Sequence, residues 1–349
     1  MKTVNKPLVI PVFIPHAGCP HQCAFCNQTI LSSQSQGLPE IETMDQMVQE
    51  WLQYGKNRCQ TELAFFGGNF LGLDHTAIQK VLDWAGAYLD EKKINAIRFS
   101  TRPDTITPET LDLVKGFPVS MVELGVQSMN DTVLDRSLRG HSSEDSRSAV
   151  ALLKSRGIAA GVQVMLGMPG DTDDTLFDST RQAALLRPEA ARIYPLLVLR
   201  GSLLEKWHQK GVYEPLTLEK SVELARAMVE IFQSCNVKVI RIGLQASDIM
   251  NDSSMVVAGP WHPAFGHLVR SRMMYHQVCR EIERLCTGGF QGHVLLKVHP
   301  NSVARLMGDR RENMGRLEER YPLIDLKVCQ DESVPEDSVR AVPDQRPGR

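Results

Sequence analysis

Three of the chain's eight cysteines fall within eight positions, Cys19, Cys23 and Cys26 in C-P-H-Q-C-A-F-C, while the other five are scattered. Thiolates are soft ligands, and tight cysteine groups serve iron–sulfur clusters or zinc. A closed zinc site needs four protein ligands, and no C-x-x-C or H-x3-H pair downstream completes one. Three thiolates leave one iron of a [4Fe–4S] cluster open, as a cluster requires if it is to bind a cofactor or substrate rather than only carry electrons. His16 and His21 flank the group, although loop histidines are more often solvated than ligating. Cys59, Cys235, Cys279, Cys286 and Cys329 share no tight spacing and read as buried thiols.

Short apolar or alternating runs must position this loop. PLVIPVFIP, ELAFFGG, AIRFSTR, SMVELGVQ, AGVQVMLG, ARIYPLLV and KVIRIG alternate with amphipathic stretches at 41–55, 74–90, 142–156, 172–186 and 217–234. That order predicts a parallel sheet with helices on its outer face, and the continuous apolar runs predict strands buried on both faces. An open (β/α)6 partial barrel, an α/β fold, is expected. Ligands of such sheets collect beyond the carboxyl ends of the strands. Gly67 and Gly68 stand there after the second strand, Ser100 and Arg102 at the third, Gln127 and Ser128 at the fourth, Gln163 at the fifth and Tyr194 at the sixth. LGMPGDT lacks the G-x-x-x-x-G-K-[ST] pattern and is not a phosphate loop.

VFIPHAGCPHQCAFCNQ resembles the cluster loop of the radical S-adenosylmethionine (SAM) superfamily. The likeness continues in order: FFGGNFLG (65–72) is similar to the family's Gly-Gly motif, FSTRPDTI (99–106) to its third-strand motif and ELGVQSMNDTVLDRSLRGH (123–141) to its fourth-strand segment. GVQVMLGMPGDT (161–172) and RIYPLLVLRGSLLEKWHQKGVYEPLT (192–217) extend it over roughly residues 8–245. The set most resembles the radical SAM core of the Elongator catalytic subunit, a tRNA-modifying enzyme, and more distantly anaerobic coproporphyrinogen oxidase. Two features depart from it. Asn69 stands where many members have Glu, Thr or Ser, and no stretch of the 349 residues resembles the acetyltransferase domain of Elongator, which is therefore not expected.

The resemblance implies two cofactors, a [4Fe–4S] cluster and SAM. Cys19, Cys23 and Cys26 would hold three irons, and the fourth would chelate the methionine end of SAM, whose reductive cleavage gives a 5′-deoxyadenosyl radical. Gly67 and Gly68 would let backbone approach the methionine amino group. Arg139 would pair its carboxylate. Ser100, Gln127 and Gln163 would hydrogen-bond the ribose and methionine ends, and Phe13 and Phe25 would pack against SAM. Tyr194 and Arg241 would face substrate at the barrel mouth. An external electron donor of flavodoxin or ferredoxin type is implied as a partner.

Beyond residue 245 the chain changes character. GPWHPAFGHLVRSRMMYHQVCREIERL (259–285) runs into a long helix, with His262 and His267 as candidate cavity residues. Residues 293–328 then read strand, helix, polar turn, helix, strand, which looks like a divergent KH RNA-binding module. Gly308-Asp309-Arg310-Arg311 takes the place of its G-x-x-G loop, with Arg310, Arg311 and Lys297 as candidate RNA contacts. The polar, Pro-rich segment 331–349 is expected to be disordered. The division expected is thus a radical SAM core over 1–245, a small α+β C-terminal region over 246–330 with the KH-like βααβ segment, and a tail over 331–349.

Composition limits the partners. Thirty-nine Lys and Arg against 41 Asp and Glu give a net charge of −2, so any nucleic-acid contact must be local. The N-terminal apolar run, broken by Pro11 and Pro15, does not fit a signal peptide, and no stretch approaches the ~20 apolar residues that span a bilayer, so a cytoplasmic protein without membrane contact is expected. RNA, tRNA in particular, is the substrate class implied by the Elongator likeness and the KH-like end. A radical SAM enzyme acting on a small molecule, and a non-catalytic iron–sulfur RNA-binding protein, are the alternatives.

Overall fold

The computed structural model describes residues 7–14, 18–26, 38–54, 58–244, 255–287 and 291–344. They form two compact units. The first takes the described residues up to Thr217, Met228–Arg241 and those ending at Trp261; the second takes Leu218–Ala227, Ile242–Leu244 and His262 onward. The boundary is therefore not the single break expected at 245. Glu219 and Glu223, early in helix α8 (Leu218–Ser234), ion-pair with Arg272 at 2.9 and 3.2 Å, which ties that helix's first turns to the second unit.

In the first unit, β1 (Leu8–Phe13), β2 (Thr61–Phe66), β3 (Ala96–Thr101), β4 (Val119–Gln127), β5 (Ala160–Leu166) and β6 (Ala190–Pro195) pair in sequence, each parallel to the next. A short β7 (Val198–Leu199) then pairs with β9 (Val256–Ala258), and β8 (Lys238–Ile242) adds the seventh strand beside β6. The curled half-barrel is the open α/β fold expected. Intervening helices include α1 (Ile41–Leu52), α2 (His75–Asp90), α3 (Pro108–Leu113), α4 (Asp131–Arg136), α5 (Ser143–Ser155), α6 (Asp173–Leu185) and α7 (Leu203–Gln209). Capping boxes at Ser142 with Asp145 and at Thr172 with Thr175 start α5 and α6, satisfying N–H groups that a first turn leaves without partners.

The two faces of the sheet differ: the strands are largely buried on both, as expected, but only one face is apolar. Ile10, Leu63, Ile97, Val122, Val162 and Ile193 share one face, each 1% exposed or less. Their neighbours on the other face are Glu62, Arg98, Glu123, Gln163 and Arg192, because side chains alternate along a strand. A polar inner face this well buried is stable only if its charges are paired and hydrogen-bonded.

The second unit packs α9 (Phe265–Cys286), α10 (Val303–Met307) and α11 (Glu312–Arg320) on a three-stranded sheet ordered β11 (Ile324–Gln330), β10 (Gly292–Val298), β12 (Val339–Pro343). Val294, Leu296, Val298, Leu306 and Leu317 are fully buried in its core. The expected strand, helix, helix, strand order is present, with β10 and β11 parallel. The expectation of disorder from 331 is corrected: β12 pairs antiparallel with β10, and Val334 and Ala341 are buried. Asp337 fixes the approach, ion-paired with Arg270 at 3.2 Å and with Arg305, its N–H donated to Ser302 Oγ. Composition missed a segment held by backbone pairing and one carboxylate rather than by an apolar period. Residues 345–349 lie outside the described residues. No described helix is long and apolar enough to cross a membrane.

Candidate functional site

The cysteine loop leaves the end of β1 and is fastened at its centre. Ala24 donates its N–H to the Ser137 carbonyl at 3.0 Å and accepts at its own carbonyl from Leu204 N–H at 2.7 Å. Cys26 N–H closes a turn onto the Cys23 carbonyl at 3.0 Å. Cys23 is buried, Cys19 and Cys26 are half-buried, and none of the three is in a disulfide. Among the described residues no three His, Cys, Asp or Glu side chains come close enough to hold one metal ion. The three thiolates of a cubane cluster each bind a different iron, so they need not converge on one point.

Asn69 joins this loop to the sheet. Its Nδ2 donates to the Gly18 carbonyl at 2.8 Å, and its Oδ1 accepts from Thr101 Oγ1 at 2.6 Å and Arg102 N–H at 3.0 Å. A glutamate, common at this position in the resembling family, has no N–H to give Gly18. Gly18 has a φ of +75°, and a Cβ there would lie 2.3 Å from the Asn69 carbonyl oxygen. Both the conformation and the close approach require glycine. Arg102 forms a bidentate pair with Asp104, both bonds 2.9 Å.

Arg139 reaches the loop from the other side. Its Nη1 lies 3.1 Å from Cys23 Sγ and its Nη2 2.7 Å from the Gly125 carbonyl oxygen, while Nε has no partner. The expected partner was the SAM carboxylate; the structure engages two of its donors with protein. His141, two residues on, approaches the Val126 carbonyl with Nε2 at 3.2 Å, and its buried Nδ1 has no partner. Burial, with help from Arg139 and Arg102, pushes the imidazole down to about 4, so it is neutral near pH 7. His21 is exposed, its ring over Gly140, and His16 lies outside the described residues.

The thiols feel each other. Burial raises Cys19, the Cys23 neighbour adds to the rise, and Arg102 and Arg139 oppose it. Cys26 is pushed up to about 12, first by burial and then by Cys23 and Cys19. Three thiolates packed this way need a cation to offset them. That is the donor chemistry an iron–sulfur cluster takes.

The remaining expected residues divide. Gln127 has a φ of +64° at the register shift of β4, a conformation costly for a side chain this large, and its buried Oε1 has no partner. It lies against Gly125 beside Arg139, so an acceptor there awaits a donor such as an ammonium group. Gly67 ends β2 at a φ of +88° beside Gly68. Phe13 is 42% exposed at the end of β1. Phe25 packs with Val133, Met168 and Leu196 in an apolar cluster. Ser128 is structural, its Oγ against Ser179 Oγ at 3.2 Å. His262 is occupied with its own turn, Nδ1 accepting from Ala264 N–H.

Ser100, Gln163 and Tyr194 belong to a buried network that the motifs did not reveal. Arg98 bridges Glu62 Oε2 at 3.1 Å and Glu123 Oε1 at 2.6 Å. Glu123 also accepts from Arg192 Nη2 at 2.8 Å and from Gln163 Nε2 at 3.3 Å. Gln163 reaches Ser100 Oγ at 3.2 Å, and Arg192 donates to the Tyr194 hydroxyl at 3.3 Å. Burial raises the Tyr194 phenol, and Arg241, on β8, is close enough to oppose that rise. The signal was available: β2, β3, β4 and β6 each carry one charged residue in a largely apolar run, and β5 carries Gln163.

A family model for the radical SAM superfamily matches residues 13–183, and one for the radical SAM C-terminal domain matches residues 188–275. The chain is 26% identical over 343 residues to the tRNA uridine(34) acetyltransferase of Methanocaldococcus jannaschii, covering 85% of this chain and 60% of that protein. It is 25% identical over 289 residues to Elongator complex protein 3 of Schizosaccharomyces pombe, covering 77% and 52%. The solved structure of Elp3 from Methanocaldococcus infernus with an N-terminal deletion superposes with a TM-score of 0.60 at 22% identity, covering 78% of this chain and 63% of that one. The chain thus spans between half and two thirds of the length of these relatives.

Proposed function

The chain belongs to the radical SAM superfamily, and we propose that it is a tRNA-modifying member that holds SAM against a cluster on Cys19, Cys23 and Cys26. It is an enzyme of that family, whose cofactors are a [4Fe–4S] cluster and SAM. The observation that carries the reading is the fastening of a three-thiol loop by Asn69 and Arg139 next to buried acceptors without partners, Gln127 Oε1 and His141 Nδ1. RNA as substrate follows from the tRNA-acting relatives.

When bound, the cofactors supply reductive cleavage of SAM to a 5′-deoxyadenosyl radical, with the electron from an external donor of flavodoxin or ferredoxin type. The protein's part is positional. Asn69 and Gly18 hold the loop in one backbone conformation, and Ala24 pins its centre between Ser137 and Leu204. Arg139 sets positive charge beside Cys23. Gln127, with its Oε1 without a partner, would accept from the methionine ammonium, and Gly67 with Gly68 would leave backbone room there. Ser100 and Gln163 fix each other and so present fixed polar groups to the ribose side. Tyr194 and Arg241 stand at the far end of the paired network, where substrate would enter.

The test is anaerobic reconstitution followed by reduction with dithionite in the presence of SAM, with and without bulk tRNA. About four irons per chain, 5′-deoxyadenosine release, and a new modified nucleoside in digested tRNA are expected. Release of 5′-deoxyadenosine that no tRNA alters would favour a small-molecule substrate. Bound iron without any release would leave a non-catalytic iron–sulfur protein.

A further inference from the structure

The arginines of the second unit are nearly all neutralised in place. Arg270 and Arg305 share Asp337, Arg272 pairs with Glu219 and Glu223, Arg316 with Glu219 and Glu312, Arg320 with Glu283, and Arg284 with Glu281. Lys297 likewise pairs with Asp331 at 3.3 Å. Arg310 and Arg311, both exposed, make no such pair among the described residues, although Asp309 is adjacent. Arg310 and Arg311 are thus two consecutive exposed cations outside that pairing.

Their backbone is as unusual as their charge. Gly308, Arg310 and Arg311 have φ of +77°, +45° and +66°. Glycine takes such angles freely, whereas a long side chain there is strained. Arg311 N–H closes the turn onto the Gly308 carbonyl at 3.3 Å, but neither guanidinium makes a hydrogen bond among the described residues, and neither is buried. The backbone turn itself leads into α11, but nothing in the fold requires long cationic side chains at these left-handed positions, and strain of that kind points to function.

We infer that the Arg310–Arg311 turn is an RNA phosphate-binding element, two guanidinium forks held out on a fixed backbone to meet adjacent phosphates of the substrate strand. This rests on the proposal that the substrate is RNA. A guanidinium fork matches the paired oxygens of a phosphate, and with a net charge of −2 for the whole chain, affinity must come from local placement rather than from a general field. An acidic protein partner is the competing occupant, and the test separates it.

Three double variants of the full chain suffice: Arg310→Gly with Arg311→Gly, Arg310→Gln with Arg311→Gln, and Arg310→Lys with Arg311→Lys. Binding to bulk tRNA is measured by filter retention from low to moderate salt, and stability by thermal unfolding. In the Gln pair, tRNA affinity in low salt falls about tenfold or more and the slope of log K against log salt flattens by roughly 1.4 to 1.8, since each lost phosphate contact removes about 0.7 to 0.9. The Lys pair keeps the slope. In the Gly pair tRNA binding falls in the same way while the unfolding midpoint rises by about 2 to 6 °C, and this opposition marks the arginines as retained for binding. Wild-type affinity and slope in the Gln pair would overturn the inference. So would a lower midpoint in the Gly pair, which would mean that the arginines hold the fold, or salt-sensitive binding of polyglutamate but not of tRNA by the wild type. Iron content and 5′-deoxyadenosine release without RNA, read on the wild type, report separately on the radical SAM reading.

Discussion

Arg139 joins Cys23 to the sheet, with Nη1 3.1 Å from the cysteine sulfur and Nη2 2.7 Å from the Gly125 carbonyl oxygen of β4. Its place is set by the end of α4: Arg139 N–H bonds the Leu134 carbonyl and Leu138 N–H the Asp135 carbonyl, both at 3.0 Å. This is the bonding of a Schellman turn, with Leu138 at a φ of +54° where glycine is usual. One turn therefore delivers Ser137 to Ala24 and Arg139 to Cys23.

Replacing Arg139 with Ala should destabilise the cluster-free protein by about 1.5 to 3 kcal/mol, the range for hydrogen bonds to a charged group. Arg139→Lys should recover only part of this, because an ammonium cannot bridge two acceptors as a planar fork does. Urea unfolding midpoints measure both. Equal stability of all three proteins would mean that the contact to Cys23 contributes nothing to folding.

Gly18→Ala should prevent cluster assembly, because the added Cβ would fall 2.3 Å from the Asn69 carbonyl oxygen and 2.6 Å from Gly72. The matched control is Gly116→Ala, where nothing lies within 4 Å. Iron per chain after reconstitution should drop sharply in the first and stay at wild-type level in the second. Asn69→Asp, which removes the donor to Gly18 and keeps the acceptor, should fall between them.

The family likeness, the turn at Gly67 and the strand order were legible because ligand chemistry, close backbone approach and apolar strand runs restrict residue type at fixed spacing. The inner network was not. Glu62, Arg98, Glu123 and Arg192 lie 130 positions apart at the extremes and meet only because a parallel sheet aligns them. Asn69 was visible as a departure from the family pattern, yet its role depends on the Gly18 carbonyl, which a sequence does not place. The turn at Arg310 and Arg311 showed its charge in sequence but not its left-handed backbone.

Removing charge from the inner network should be costly. Glu123, 1% exposed, faces both Arg98 and Arg192, so Glu123→Gln leaves two buried guanidiniums short of an anion and should cost about 3 to 5 kcal/mol. Tyr194→Phe removes one 3.3 Å bond at the network's end and should cost less than about 1 kcal/mol. A larger loss of turnover than of stability in Tyr194→Phe would fit a place at the substrate; parallel losses would make the residue structural.

Two groups give the cluster-free protein opposite pH limits. The His141 imidazole is depressed from 6.5 to about 4, so its contribution to stability is present above 6.5 and is lost as pH falls toward 4, where the unfolded chain binds the proton first. At 1.36 kcal/mol per unit this amounts to about 3 kcal/mol, and His141→Gln should flatten that acid limb in urea titrations. Cys26 is raised from 9.0 to about 12, so stability is lost as pH climbs above 9, where the unfolded thiol ionises and the folded one does not. The same shift fixes reactivity, since the thiolate is the nucleophile. Iodoacetamide labelling of Cys26 in the folded, cluster-free protein should therefore rise about tenfold per pH unit from 8 to 10, and a plateau by pH 9 would show that its burial is not maintained in solution.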